Sequence, residues 1–255
     1  MDVKRQMKNM GICIIIPTYN NATTIRQIID DCLEWTDDIV AVNDGSTDAT
    51  NEILSTYAQT IHVVRYTHNK GKGYALKKGF EYAKEHNYTY ALTIDADGQH
   101  SASDIPQFVK TAMRYPHALI MGSRNIQTDN MPRKNTFANK FSNFWFTVQT
   151  LQRIPDTQTG YRLYPLKPMT HLWWVTAKYE AELEMLVFAA WHGIKIIPIP
   201  IQVYYPPAEK RVSHFRPGMD FFRISVTNTI LCLLAIVYGG PRMLINKLFS
   251  KQQKT

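Results

Sequence analysis

The sequence predicts an α/β fold built on a doubly wound, mostly parallel sheet with helices on both faces. Short apolar runs alternate with helix-forming segments through the first half of the chain, and most of those runs are continuously apolar, as in a sheet covered on both sides. The first four runs each end in a polar cluster, and doubly wound sheets bind ligands beyond the carboxyl ends of their strands. With 255 residues, 45% hydrophobic and 20% charged, the chain can bury a substantial core, which excludes disorder and a disulfide-stapled miniprotein.

Taken in order, residues 12–16, 39–42, 61–64, 90–94 and 118–121 read as strands. Residues 22–35, 49–58, 74–85 and 104–114 read as the helices between them, each with a polar entry. At the second entry Ser46 or Thr47 is expected to cap the helix, with Asp48 in its first turn. Further on, 137–151 and 180–192 read as helices, and 194–201 as a strand broken by Pro198 and Pro200. Neither repeats nor low-complexity tracts interrupt residues 1–206, which therefore read as one domain, with 207–255 a basic, partly apolar appendage.

That appendage carries much of the charge. The chain has a formal net charge of +8, of which +2 falls in residues 1–10 and +6 in 207–255, while the middle balances. A neutral globule with basic ends points to an anionic surface, not to a nucleic acid held across the domain. Residues 224–241 are uncharged, yet Ser225, Thr227, Asn228 and Thr229 dilute their first half, and Gly239-Gly240-Pro241 predicts a break after Tyr238. With 243–249 they read as two helices lying in the plane of a membrane, flanked by arginine and lysine suited to anionic head groups. Cys13, Cys32 and Cys232 are odd in number, lack CxxC spacing and sit in apolar surroundings, so they read as buried thiols of a reducing compartment. The apolar run at 12–16 is too short for a signal peptide, and the globule is expected on the cytosolic side.

The strand ends carry the chemistry. Gly71-Lys72-Gly73 is neither a P-loop nor a dinucleotide fingerprint, since Leu76 stands where the third glycine would fall. Asp95 and Asp97 project the same way from an extended segment, so both can meet one hard divalent cation, with Gln99 adding a neutral oxygen. Mg²⁺ or Mn²⁺ held in this way keeps positions open for phosphate oxygens. Asp44 closes the second strand, where a carboxylate suits a base edge or a ribose hydroxyl.

Pro17-Thr18-Tyr19-Asn20, Asn43-Asp44-Gly45-Ser46-Thr47-Asp48, Asn69-Lys70-Gly71-Lys72-Gly73, Asp95-Ala96-Asp97-Gly98-Gln99-His100, Gly122-Ser123-Arg124 and Asp156-Thr157-Gln158-Thr159-Gly160-Tyr161-Arg162 occur in that order. Together they resemble the motifs of family 2 glycosyltransferases with the GT-A fold, in the branch that makes polyprenyl-phosphate sugars, over residues 11–216. Asn21 and Asn43 depart from that pattern, in which acids are usual. The resemblance implies that Pro17, Tyr19, Asn20, Asp44, Lys72 and Asp95 bind a nucleotide-sugar donor, a GDP- or UDP-hexose, and that Asp95, Asp97 and Gln99 bind Mg²⁺ or Mn²⁺. It places Arg124, Arg133 and Arg211 near the donor and acceptor phosphates, with Asp97, Arg124, Asp156 and Arg211 as catalytic candidates.

The implied reaction is an inverting transfer of mannose or glucose to a membrane lipid, with polyprenyl phosphate as the expected acceptor. A phosphate acceptor is already an anion and needs no general base; a hydroxyl acceptor needs one, for which Asp156 is the candidate and Glu182 and Glu184 the weaker ones. The segment with Arg211, His214 and Arg216 reads as a loop able to close over a phosphate. The rival readings are a glycosyltransferase acting on a glycolipid or polysaccharide hydroxyl, a nucleotidyltransferase, and a module whose basic tail binds RNA. Trp173, Trp174 and Phe144 to Phe146 read as core or interface.

Overall fold

A computed structural model of the chain describes residues 2–124, 133–170, 175–205 and 217–252, with the side chains of 133–137, 217 and 250–252 outside the description. Its elements run α1 (Val3–Met10), β1 (Ile12–Thr18), α2 (Ile25–Leu33), β2 (Ile39–Asp44), α3 (Thr50–Thr56), β3 (His62–Tyr66), α4 (Lys72–Glu85), β4 (Tyr90–Thr93) and α5 (Ile105–Arg114). Then follow β5 (Leu119–Ser123), α6 (Arg133–Thr150), β6 (Arg162–Pro165), α7 (Glu180–Trp191), β7 (Ile196–Pro200), α8 (Pro217–Leu234) and α9 (Gly240–Gln252).

The sheet has the order β3-β2-β1-β4-β6-β5-β7, parallel except for β6, which pairs antiparallel with both neighbours. β1 shows why its run is wholly apolar. Ile12, Ile14 and Ile16 point to one face, into a core with Ile25, Ile28 and Phe108 from α2 and α5. Cys13 and Ile15 point to the other, against Leu76, Phe80 and Met185 from α4 and α7.

The structure adds two elements, α1 and β6, and revises a third. β6 is only four residues long and begins at Arg162, the last residue of the Asp156–Arg162 motif, so too little of an apolar run is left to mark it as a strand. The strand over 196–200 is not broken by its prolines: β7 is the sheet edge, and Pro198 and Pro200 align with Met121 and Ser123 of its one partner, β5. A residue without an N–H is tolerated on an edge.

The expected break after Tyr238 does not occur. A π-helical turn over Ala235–Gly239 joins α8 to α9, and Gly240 donates its N–H to Ala235 O, five residues back. That widened turn accommodates Pro241, whose ring would otherwise press on the carbonyl four residues before it. Among the described residues, Gly218–Phe249 is a 32-residue helix long and apolar enough to cross a membrane by length and composition. It lies along α6 and α7: Gln149 Nε2 donates to Asn228 Oδ1 at 3.0 Å, and Asn246 Nδ2 donates to Trp191 O at 3.0 Å. Gly239 packs so closely against the Trp191 indole that any Cβ there would collide with the ring. Cys13 and Cys32 are buried as expected, whereas Cys232, on α8, is only partly so. Phe146 is core, but Phe144 is exposed; Trp173 and Trp174 lie outside the described residues.

Candidate active site

Because β1 lies between β2 and β4, the loops that leave these three strands converge on one sheet edge. They bound an open cleft of about 670 Å³. Pro17, Tyr19, Asn20, Asp44, Lys72, Asp95, Asp97 and Gln99, scattered over some eighty residues of chain, all line it. Lys178, Tyr179 and Asp220 also line it, and no motif in the sequence marks them. The first two follow a stretch without pattern, and Asp220 reads as an ordinary acid in the first turn of a helix.

On the nucleoside side the polar residues tie the loops together. Asn20 adopts a left-handed backbone (φ 52°), and its Oδ1 accepts from the N–H of Thr47 at 2.8 Å and of Asp48 at 3.3 Å. Ser46 Oγ accepts from Asn20 N–H at 3.0 Å, and Thr47 Oγ1 lies 3.3 Å from Asn20 Nδ2. Ser46 and Thr47 are thus committed to Asn20, and Asp48, through Oδ1, binds the entering amide of α3 at Thr50 (3.0 Å), which corrects the expected cap. Asn21 and Asn43 turn inward too: Asn21 Oδ1 accepts from Thr18 Oγ1 and Tyr19 N–H, and Asn43 Oδ1 accepts from Ser46 N–H. Asp44 accepts from the amides of Lys70 (2.7 Å) and Gly71 (2.9 Å), so its carboxylate shapes the glycine-rich loop as well as lining the cleft. Burial raises its pKa despite those amides.

The acidic centre is held by one ammonium. Lys72 Nζ lies 2.6 Å from Asp95 Oδ1 and 2.8 Å from Glu182 Oε2. Burial alone would lift Asp95, but Lys72 and, more weakly, His100 outweigh it and keep the carboxyl below its usual range. Asp97 accepts from Gln99 N–H at 3.0 Å; burial and the charge of Asp95 push it up to about 6. Burial likewise lowers His100 to about 4, so its ring is neutral at physiological pH. A Cβ at Gly160 would sit 2.5 Å from Asp95 Oδ2 and 2.6 Å from Lys72 Nζ, so a side chain there would displace that ion pair.

Among the described residues, Asp95 and Glu182 share the Lys72 ammonium, Asp97 stands beside them without an ion pair of its own, and Glu182 Oε1 is buried without a hydrogen-bond partner. Two carboxylates and the Gln99 amide on an open cleft fit a hard divalent ion that keeps sites for phosphate oxygens. A closed cage is absent: among the described residues no group of three histidine, cysteine, aspartate or glutamate side chains could hold a metal alone.

Beside the cleft, Arg124 and Asp156 form a bidentate pair, Nε to Oδ2 at 2.6 Å and Nη2 to Oδ1 at 2.9 Å. Asn139 Nδ2 also donates to Asp156 Oδ1 (2.6 Å), as does Gln158 N–H (3.0 Å). Burial alone would raise the wholly buried Asp156, but the Arg124 guanidinium and the backbone N–H groups of Gln158 and Arg124 hold it below the carboxylate range. The loop carrying it is fixed from below by Arg162, fully buried, which donates to the carbonyls of Thr157, Thr159 and Glu182. Glu182 and Glu184, the weaker base candidates, both lie on α7 and are buried: Glu182 binds Lys72, and Glu184 accepts from the backbone N–H groups of Val175 and Thr176. Arg133 opens α6, but its side chain, like Arg211, His214 and Arg216, lies outside the described residues.

This edge matches a known family. The family model described as glycosyl transferase family 2 matches residues 13–172. The chain belongs to glycosyl transferase family 2. Among this transferase's relatives, the undecaprenyl-phosphate mannosyltransferase of Micrococcus luteus is 27% identical over 75% of this chain and 83% of its own. The UDP-N-acetylglucosamine–dolichyl-phosphate N-acetylglucosaminyltransferase of Methanococcus voltae is 27% identical over 78% of this chain and 88% of its own. In fold, this family 2 chain is similar to glucosyl-3-phosphoglycerate synthase of Mycobacterium tuberculosis, solved with Mg²⁺ and UDP, with a TM-score of 0.63 and 17% identity over 90% of this chain and 82% of that one.

Proposed function

We propose that this transferase moves a hexose, mannose or glucose, from a GDP- or UDP-sugar to the phosphate of a polyprenyl phosphate, with inversion, at the cytosolic face of a membrane. The observation that carries the acceptor assignment is that all three carboxylates considered as a base are already engaged: Asp156 by Arg124, Glu182 by Lys72 and Glu184 by backbone amides. A hydroxyl acceptor needs a base to take its proton, whereas a phosphate does not. The names of the two relatives, both transferring to polyprenyl phosphates, support the same reading.

In this mechanism a phosphate oxygen attacks the anomeric carbon as the bond to the nucleoside diphosphate breaks, and both electrons of that bond leave with the diphosphate. Asp95, Asp97 and Gln99 would hold Mg²⁺ or Mn²⁺, whose charge offsets that of the leaving group. Lys72 supplies a fixed positive charge beside the same carboxylates. Asp156 sets the orientation of Arg124 toward the phosphates, a role that Arg133 and Arg211 share by motif position. Pro17, Tyr19, Asn20 and Asp44 form the nucleoside wall. Residues 1–206 are the catalytic domain, and 207–255 its membrane-facing appendage.

The test offers GDP-mannose and UDP-glucose to purified protein with Mg²⁺ or Mn²⁺, and either polyprenyl phosphate or the parent polyprenol. Nucleoside diphosphate release and organic-phase label only with the phosphate is the expected result. Transfer to the polyprenol would overturn the acceptor assignment.

A further inference from the structure

We infer that Glu182 is a positioning residue of the donor site: it balances the Lys72 ammonium from behind the cleft, so that Asp95 keeps its charge for the metal ion while Lys72 serves the diphosphate. This rests on reading the cleft as a nucleotide-sugar site. Lys72 and Asp95 line the cleft, whereas Glu182, 7% exposed, is not among its lining residues, and its carboxylate meets the site through Lys72. The backbone fixes where it stands, since Glu182 lies in the first turn of α7 and its carbonyl accepts from the buried Arg162 Nη1 at 2.7 Å.

Neutralising Lys72 does not require this residue. One carboxylate balances one ammonium, and Asp95 Oδ1 is already 2.6 Å from Lys72 Nζ. Glu182 adds a second carboxylate at 2.8 Å, although its Oε1 is buried without a hydrogen-bond partner, a desolvation cost that an apolar side chain of similar size would avoid. The additional charge matters at the metal site. An ammonium paired with Asp95 alone would cancel the charge of a carboxylate that fits a divalent ion, and would itself repel that ion at short range. With Glu182 as its second partner, the ammonium is balanced by a group that is not a metal ligand, and Asp95 retains its attraction for the ion. An ammonium also carries three N–H groups, so two carboxylate partners leave one for a phosphate oxygen. Glu182 thus serves both ligands of the site without touching either.

The experiment titrates Mn²⁺ into wild type, Glu182→Gln, Lys72→Met and the double variant without nucleotide, with the free ion counted by electron paramagnetic resonance. Glu182→Gln is expected to weaken Mn²⁺ binding about tenfold, and Lys72→Met to strengthen it by a similar factor. The double variant should return to within about threefold of wild type, a restoration that misfolding of the glutamine variant would not produce. At saturating Mn²⁺, Lys72→Met should lower the affinity for GDP or UDP, whichever wild type binds, about tenfold by calorimetry. Mn²⁺ affinity unchanged in Glu182→Gln, a double variant as weak as Glu182→Gln, or diphosphate binding indifferent to Lys72→Met overturns the inference. So does a wild type that binds Mn²⁺ only when nucleotide is present, because Asp95 would then not be open to the ion. A wild type that binds no Mn²⁺ even with GDP or UDP shows instead that the reading of the cleft fails first, and the inference with it.

Discussion

Asp97 is a residue whose environment suits a ligand more than it suits the folded chain. Burial and Asp95 raise its pKa to about 6, against an ordinary value of 3.8. Between those values the folded state holds a proton that the unfolded state has released, so this group's contribution to stability is present below pH 3.8 and is lost as pH rises toward 6. His100 does not mask the comparison, because both proteins compared below retain it. Metal-free Asp97→Asn is therefore expected to melt level with wild type near pH 4 and above it at pH 7, the gap opening by at most about 1.4 kcal/mol per pH unit in between. Adding Mg²⁺ or Mn²⁺ at pH 7 should raise the wild-type melting temperature and leave the variant unmoved. Equal melting at both pH values without metal would show that Asp97 carries no strained charge. The same residue-level logic separates what the motifs reveal from what they do not. The Asp-x-Asp spacing announces Asp95 and Asp97, but nothing in the sequence indicates that Lys72 and Glu182 share their charge, because those contacts span 23 and 110 positions.

At the scale of elements, what the sequence reveals is whatever is periodic and local. β1, β2 and β4 are legible because burial on both faces demands an unbroken apolar run, and α4 and α7 because their patterns are long. β6 is illegible because its four residues include Arg162, whose charge is satisfied by carbonyls brought in from elsewhere. The C-terminal helix fails differently. Gly239-Gly240-Pro241 is a sound breaking signal, yet Gly239 is there to admit the Trp191 indole, and the π-turn absorbs the proline. Tertiary packing has reversed a local preference. Gly239→Val is therefore expected to cost about 1–3 kcal/mol through overpacking against Trp191, read as a lower melting temperature. Proteolysis between α8 and α9 should speed up in parallel, because the side chain pries that turn from α7. A variant as stable and as protease-resistant as wild type would mean that the contact does not anchor the helix.

For the whole molecule, the question is how a helix able to cross a membrane relates to the globule it adjoins. It is pinned along its length, at Asp220 in the cleft, Asn228 on Gln149, Gly239 on Trp191 and Asn246 on the Trp191 carbonyl. Only 17% of its most apolar window is buried, and Phe222, Val226, Ile230, Leu233, Ile236 and Leu248 are exposed. α6 runs beside it in the same direction, since Phe141 meets Phe221 and Gln149 meets Asn228, and it adds exposed Phe144 and Val148, followed by exposed Leu151 just past its end. Were the helix to cross a bilayer, α6, α7 and the charged cleft would be drawn into hydrocarbon with it, at a prohibitive desolvation cost. Lying in the plane, it would bury the apolar side of both helices and bring exposed Arg242 and Lys247 to anionic head groups. Depth measurement separates the two arrangements. Val226→Cys and Leu248→Cys are 22 residues apart, about 33 Å along a helix. In a Cys232→Ser background, each can carry the sole reactive thiol, because Cys13 and Cys32 are buried and burial pushes the Cys32 thiol up to about 12. With a fluorophore at either site and brominated lipids in anionic vesicles, an in-plane helix gives both positions the same shallow depth, about 5–10 Å. Binding should weaken as salt rises. Depths that differ by most of the bilayer thickness would mean that the helix leaves the globule and spans, and the cleft would then have to reach the lipid acceptor proposed for it from a membrane-spanning anchor.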